Sequence, residues 1–258
     1  MARYWYTTKV YNNATIYYRF IETTVNNIRL KRIDSSIANT TYCGVNANFF
    51  YSESQDPNYM FKDYEAEDIY TIGIDRGASV KDHGLINLLS YTKTGKRGTF
   101  YILNSGTKNV MSIETFSDLG IDVSQVSFAV GGMNLNFEMK TATQTRLETL
   151  WRAEENDLHK HKKNKTAIFF LSSVNSYGYD IVLCTMNSDG TANPPSSYSM
   201  PSPYEFRQHI MEIYPTVARG IMLDGGGSTG MAYKNTLTRQ TCLTDGGRDI
   251  PTMITVDM

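Results

Sequence analysis

A chain of 258 residues is long enough to bury a core without disulfides or a structural metal. Its hydrophobic share of 41% and charged share of 20% are those of a soluble globular protein, and a net charge of −1 excludes a whole-molecule field built for a nucleic-acid polymer or an anionic membrane. The three cysteines, Cys43, Cys184 and Cys242, are odd in number and fit no zinc spacing, so they read as buried free thiols in a reducing compartment.

In chain order, residues 3–10, 14–22 and 27–33 are rich in β-branched and aromatic residues. Asn-rich turns at Asn12-Asn13 and Asn26-Asn27 separate them, which predicts an antiparallel meander within residues 1–40. Residues 42–51 form a further extended segment. The polar, acidic stretch 52–68 reads as a long loop. Strands are expected near 69–74, 85–91 and 98–103, with a short helix at 114–119. The next strand, 126–130, is expected to stop at Gly131-Gly132. Leu147, Leu150, Trp151 and Leu158 lie at helical spacing in a polar segment, 143–158, which suggests a surface helix.

Residues 166–174 and 180–186 read as paired strands around a Tyr177-Gly178 turn, and 187–203 as a Pro/Ser/Asn-rich loop. Ser202-Pro203-Tyr204-Glu205 is a capping box with proline at the first helical position. It starts a helix with the apolar stripe Phe206, Ile210, Ile213 and Tyr214, ended by Pro215. Strands follow at 217–223 and 252–256. Strands dominate, repeats are absent and no composition break marks a linker. The expected fold is α+β, a single domain over 1–258 with a mixed, mostly antiparallel sheet core and few helices.

The most informative stretch is Asp224-Gly225-Gly226-Gly227-Ser228-Thr229, directly after the apolar run 221–223. A strand-end carboxylate is suited to act as general base, nucleophile or metal ligand. Three successive glycines let the backbone turn sharply and point N–H groups at an anion; the alternative is a tight turn whose aspartate bonds its own backbone. The segment is neither a P-loop nor a dinucleotide fingerprint, since no Gly-Lys-Ser/Thr follows and the glycines are contiguous. Asn46 and Asn48, two apart on one strand, would face the same side beside Phe49 and Phe50, a pattern suited to hydroxyl recognition or to a turn before two buried rings. The basic run 159–165 contains His159 and His161, read as a solvated loop, and Lys165, which with Arg248 is a candidate for phosphate charge. No Gly-x-Ser-x-Gly elbow is present, which argues against a serine hydrolase.

Together these segments resemble the phosphodiester glycosidase family. Asn46-Ala47-Asn48-Phe49-Phe50 is similar to its early Asn-Gly-Gly-Phe-Phe segment, and Ala129-Val130-Gly131-Gly132 to its mid-chain Gly-Gly strand end. Lys165-Thr166-Ala167 is similar to its Arg-Thr-Ala segment, residues 223–228 match its Leu-Asp-Gly-Gly-Gly-Ser hallmark, and Arg248 stands where it has a late arginine. The chain departs from the pattern at Ala47, Asn48, Lys165 and Phe169.

The resemblance implies a hydrolase that cuts a sugar-1-phosphodiester bond in a small-molecule or glycan substrate. It implies Asp224, Asn46 and Lys165 as catalytic residues. Substrate binding would fall to Asn48, Phe49, Thr166, Gly225, Gly226, Gly227, Ser228, Thr229, Arg248, Gly131 and Gly132. No cofactor is assigned with certainty, and Asp224 is a candidate to hold a divalent cation. Two other readings compete: a non-catalytic protein that sequesters a sugar-phosphate or nucleotide-like ligand, and a phage or cell-surface structural module. The N-terminal segment has no apolar signal region, so a cytoplasmic protein of bacterial or phage origin is expected, or one released in a virion or by lysis. No membrane or nucleic-acid partner is expected, and the oligomeric state is not written in the sequence.

Overall fold

The first two strands, β1 (Arg3–Tyr11) and β2 (Ala14–Thr23), form an antiparallel hairpin. Its turn residues Asn12 and Asn13 both take positive φ, 48° and 64°, the twist that joins right-handed strands. The computed structural model describes residues 1–50, 69, 71–80, 96–154, 160–188, 200–234, 241–244 and 247–257. The expected loop at 52–68, the expected strand at 85–91, His159, most of the 187–203 loop and the Cys242 side chain lie outside the described residues.

The expected meander is corrected at its third strand. β3 (Ile28–Ser35) does not return to β2 but enters a second sheet. The free edge of β2 is taken instead by β11 (Ile181–Ser188), in register from Ile181 opposite Thr23 to Ser188 opposite Ile16. A one-turn 3-10 helix, Val25–Asn27, redirects the chain, and β3 then buries Ile28 and Leu30.

The larger sheet has ten strands. From β1 it runs through β2, β11, β10 (Lys165–Leu171) and β12 (Val217–Met222) to β9 (Val126–Asn134). There β9 also pairs with β5 (Gly73–Asp75) and with β7 (Arg97–Leu103), and these carry β6 (Ala78–Ser79) and β8 (Lys108–Ile113) on their far sides. The second sheet has five strands in the order β14 (Thr241–Thr244), β13 (Met231–Lys234), β4 (Cys43–Asn46), β15 (Ile250–Val256), β3. Every pairing among these described strands is antiparallel.

Burial on both faces of the large sheet explains why β10 and β11 read as continuous apolar runs rather than alternating ones. Ile168, Phe170, Ile181 and Leu183 point to a core shared with Leu30, Val45 and Ile254 of the five-stranded sheet. Their neighbours Ala167, Phe169, Val182 and Cys184 point the other way, against the two α-helices. α1 (Gln144–Glu154) buries Leu147, Trp151 and Glu154; α2 (Pro203–Ile213) buries Phe206, Arg207 and Ile210. The capping box of α2 is formed, with Ser202 accepting from the Glu205 N–H and Glu205 returning to the Ser202 N–H at 2.8 Å. The α+β fold is thus as expected, three layers with few helices. Among the described residues no helix is long and apolar enough to cross a membrane.

Two local expectations differ. The short helix expected at 114–119 is a single 3-10 turn, Phe116–Leu119, capped by Thr115 and Asp118. β9 runs through Gly131 and Gly132 instead of stopping at them. A Cβ on Gly131 would stand 2.7 Å from Thr71 Cβ, and one on Gly132 would stand 2.3 Å from the Met222 carbonyl oxygen. The absence of a Cβ lets β9 lie against Thr71 and against the end of β12.

Candidate functional site

β12, an interior strand of the large sheet, ends at Met222 and delivers Asp224 just past its C-terminal end. The chain past Met222 is carried on by Leu223 N–H, which donates to the Thr166 carbonyl at 2.8 Å, and by Asp224 N–H, which reaches the Ala47 carbonyl at 3.3 Å. Asp224 is therefore suspended between the end of β12, the start of β10 and the exit of β4. A 3-10 turn, Gly226–Ser228, follows.

Asn46 holds this junction together. Its Nδ2 donates to the Asp224 carbonyl at 2.8 Å, while its Oδ1 accepts from Thr166 Oγ1 at 2.6 Å and from Gly230 N–H at 3.0 Å. Asn48 is equally committed. Its Nδ2 donates to Thr71 Oγ1 (2.8 Å) and the Ile72 carbonyl (2.7 Å), and its Oδ1 accepts from Thr252 Oγ1 (3.0 Å). Both amides are buried. With Thr166 they join strands to one another, so the expected sugar-binding role of Asn48 and catalytic role of Asn46 are corrected to supporting ones: their polar atoms are already bonded to protein.

A cavity of about 330 Å³ opens in front of Asp224. Its walls bring together Phe49, Lys165, Gly225, Gly226, Gly227 and Arg248, all singled out from the sequence, along with Phe50, His161, Lys163 and Asn164. Asn46, Asn48, Thr166, Ser228, Thr229, Gly131 and Gly132 are not among its lining residues. The expectation of three glycine N–H groups converging on an anion is also corrected. Gly225 N–H donates to the Asp224 carboxylate itself at 2.9 Å, and Gly226 N–H to the Asn164 carbonyl at 2.9 Å. A Cβ on Gly225 would sit 2.7 Å from that same Asn164 oxygen, whereas one on Gly227 would meet nothing within 4 Å.

Asp224 is half-buried and lines the cavity. Burial raises its pKa to about 6, against the Ser228 hydroxyl, the Gly225 N–H and the charges of Arg248 and Arg97, all of which favour the carboxylate. It is the only carboxylate among the described lining residues. The buried Thr229 hydroxyl finds no hydrogen-bond partner among the described residues. Among those residues no cluster of three or more His, Cys, Asp or Glu is present.

Lys165 borders the cavity, but its ammonium is turned into the protein. Nζ donates to the carbonyls of His161 (3.0 Å), Lys163 (2.8 Å) and Pro201 (2.6 Å). Burial lowers its pKa to about 7, opposed by Glu205 and assisted by Lys162, while the three carbonyls accept best from the charged form.

Three features escaped the sequence. His161, exposed as expected of the basic loop, also lines the cavity. Arg97 is buried behind the wall, its guanidinium 4.9 Å from the centre of the Phe49 ring, and Arg248 lies 4.7 Å from the Phe50 ring, so two arginines cover two consecutive aromatics. Glu154, at the end of α1, is buried beneath them. It accepts from Asn134 N–H (2.8 Å), Gly98 N–H (3.2 Å) and the Ser112 hydroxyl, and burial raises its pKa against these bonds and the Arg97 charge. The Lys96-Arg97 pair at a strand start gave no signal of burial. Trp151 and Glu154, three apart on one helix, could have marked an inward face.

Set against known structures, the fold resembles the zebrafish N-acetylglucosamine-1-phosphodiester alpha-N-acetylglucosaminidase catalytic domain auto-inhibited by pro-peptide. The match has 13% identity and a TM-score of 0.63, and it covers 100% of this chain and 83% of that one. A hypothetical protein from Synechocystis is similar at 12% identity and a TM-score of 0.48, covering 99% of this chain and 62% of that one. No protein-family profile and no curated protein matches the chain. The fold is therefore like that of a glycosidase catalytic domain, and residue roles in this chain rest on its own geometry.

Proposed function

We propose that this protein is a hydrolase of sugar-1-phosphodiesters, with Asp224 acting as base or nucleophile at the anomeric carbon. The observation that carries this reading is the convergence of Asp224, the glycine turn, Phe49 and Arg248 on one cavity of about 330 Å³, large enough for a small ligand. In the reaction, a water oxygen ends bonded to the anomeric carbon and the carbon–oxygen bond to phosphate breaks. The electron pair leaves with the phosphate oxygen, and a water proton passes to Asp224. Phosphate is a weakly basic leaving group, so a site with one lining carboxylate suffices where an ordinary glycoside would need two. Arg248 balances phosphate charge and Phe49 supplies an apolar wall for the sugar ring.

The test is incubation with UDP-N-acetylglucosamine and with a teichoic-acid-like phosphodiester, followed by assay of released sugar. Release by the wild type, with a loss of about 10²–10⁴-fold in Asp224→Asn, is expected for a carboxylate that moves the proton. Ligand bound tightly but recovered intact would replace the hydrolase with a sequestering protein. Full turnover in Asp224→Asn would remove that residue from the mechanism.

A further inference from the structure

The basic turn before β10 and the glycine turn after β12 form one hydrogen-bonded unit. Asn164, the last residue of the basic turn, accepts from Gly226 N–H at 2.9 Å, and its carbonyl packs so closely on Gly225 that no Cβ fits between. On the other side of the same turn, the carbonyls of His161 and Lys163 are gathered by Lys165 Nζ, which also reaches the Pro201 carbonyl just before α2. An ammonium has three hydrogens, and three carbonyls at 2.6–3.0 Å take all of them. Lys165 is 2% exposed, so donating to a ligand would require it to release a bonded carbonyl in a buried setting.

The side chains that the turn presents are different. His161 and Lys163 are exposed residues that line the same cavity as Arg248. Besides the inward-turned Lys165, the described lining residues carry two cations, Lys163 and Arg248, an imidazole and one carboxylate, Asp224, a balance that favours an anion.

We propose that the turn bearing His161 and Lys163 is the anion-recognising wall of the cavity, acting with Arg248, and that Lys165 is a positioning residue that holds this wall and touches no ligand. The ligand class is a phosphate monoester or diester, whose oxygens accept from several separate cations. The inference rests on the reading of this cavity as the substrate site but not on turnover.

The experiment measures inorganic phosphate binding calorimetrically at low ionic strength. Phosphate binds the wild type, and His161→Gln/Lys163→Gln weakens it at least about tenfold, the scale of a lost charged hydrogen bond. Lys165→Met, checked by circular dichroism to be folded, weakens phosphate about as much although it removes no ligand contact, and Lys165→Arg restores it because a guanidinium can serve several carbonyls. Absence of phosphate binding by the wild type, or unchanged affinity in the double variant, overturns the proposal. Unchanged affinity in a folded Lys165→Met, or no restoration by Lys165→Arg, overturns the positioning role. If Lys165→Met does not fold, the double variant decides. Phosphate binding that depends on the turn in a protein that releases no sugar would leave this inference standing and remove the hydrolase reading. Sugar release with a phosphate affinity indifferent to the turn would do the reverse.

Discussion

Asp224 carries opposite consequences for stability and for chemistry. Its pKa is raised to about 6 by burial, so the folded chain holds the proton more tightly than the unfolded chain, where an aspartate titrates near about 3.9. The stability tied to this group is therefore present at low pH and is lost as pH rises through about 6. A base at the same position needs the opposite state, and turnover should rise with pH across that value. Asp224→Asn separates the two. At pH 7.5 the variant should be inactive yet melt above the wild type, with the gap closing as pH falls from about 6 toward about 4. Identical melting temperatures at every pH would mean that the carboxylate carries no desolvation cost. The sequence announced Asp224 through its glycines, but it could not announce what Asn46 and Asn48 do. Two amides on one side of a strand look the same whether they face a sugar or another strand, and only the positions of Thr166, Thr71 and Thr252 decide it.

Among the elements, the glycine turn contains positions with contrasting demands. Gly225→Ala forces a Cβ against the Asn164 carbonyl at 2.7 Å, a backbone neighbour that cannot swing away. A loss of about 1–3 kcal/mol in chemical denaturation is expected, as for other overpacked sites. Gly227→Ala places its methyl in open space on the cavity wall, so stability should hold while KM for a hydrolysed phosphodiester rises. Equal destabilisation by both variants would contradict this division. Local signals were strong where capping chemistry or turn residues were explicit: the Ser202–Glu205 box and the Asn12-Asn13 hairpin formed as written. They were weak where tertiary contact overrode the local pattern. Gly131 and Gly132 look like a strand terminus in sequence but serve strand-to-strand approach, and β13 and β14, four residues each, are too short to show a period.

At the scale of the whole molecule, apolar runs in β10 and β11 signalled burial but not how many layers cover them. That depends on β3 leaving the hairpin for the other sheet, where it pairs with β15 while β11 takes the edge of β2. The layers can be probed through two buried free thiols, Cys43 in the five-stranded sheet and Cys184 in the ten-stranded one. Burial pushes the Cys184 thiol well above its ordinary pKa, so it should resist alkylation in the native protein. With one core joining both sheets, denaturant titration should expose the two thiols in a single transition; separate labelling midpoints would show that the sheets open independently.

The location of β15 sets a timetable for biosynthesis. This strand, residues 250–256, lies inside its sheet between β4 and β3, and Arg248 just ahead of it completes the cavity rim. A ribosome that has made Asn46, Lys165 and Asp224 has still not made a binding pocket, because the sheet beneath them lacks an inner strand. A premature stop codon before residue 250 would therefore yield no partly active product, only a polypeptide exposing the flanks of β3 and β4 to chaperones and to aggregation.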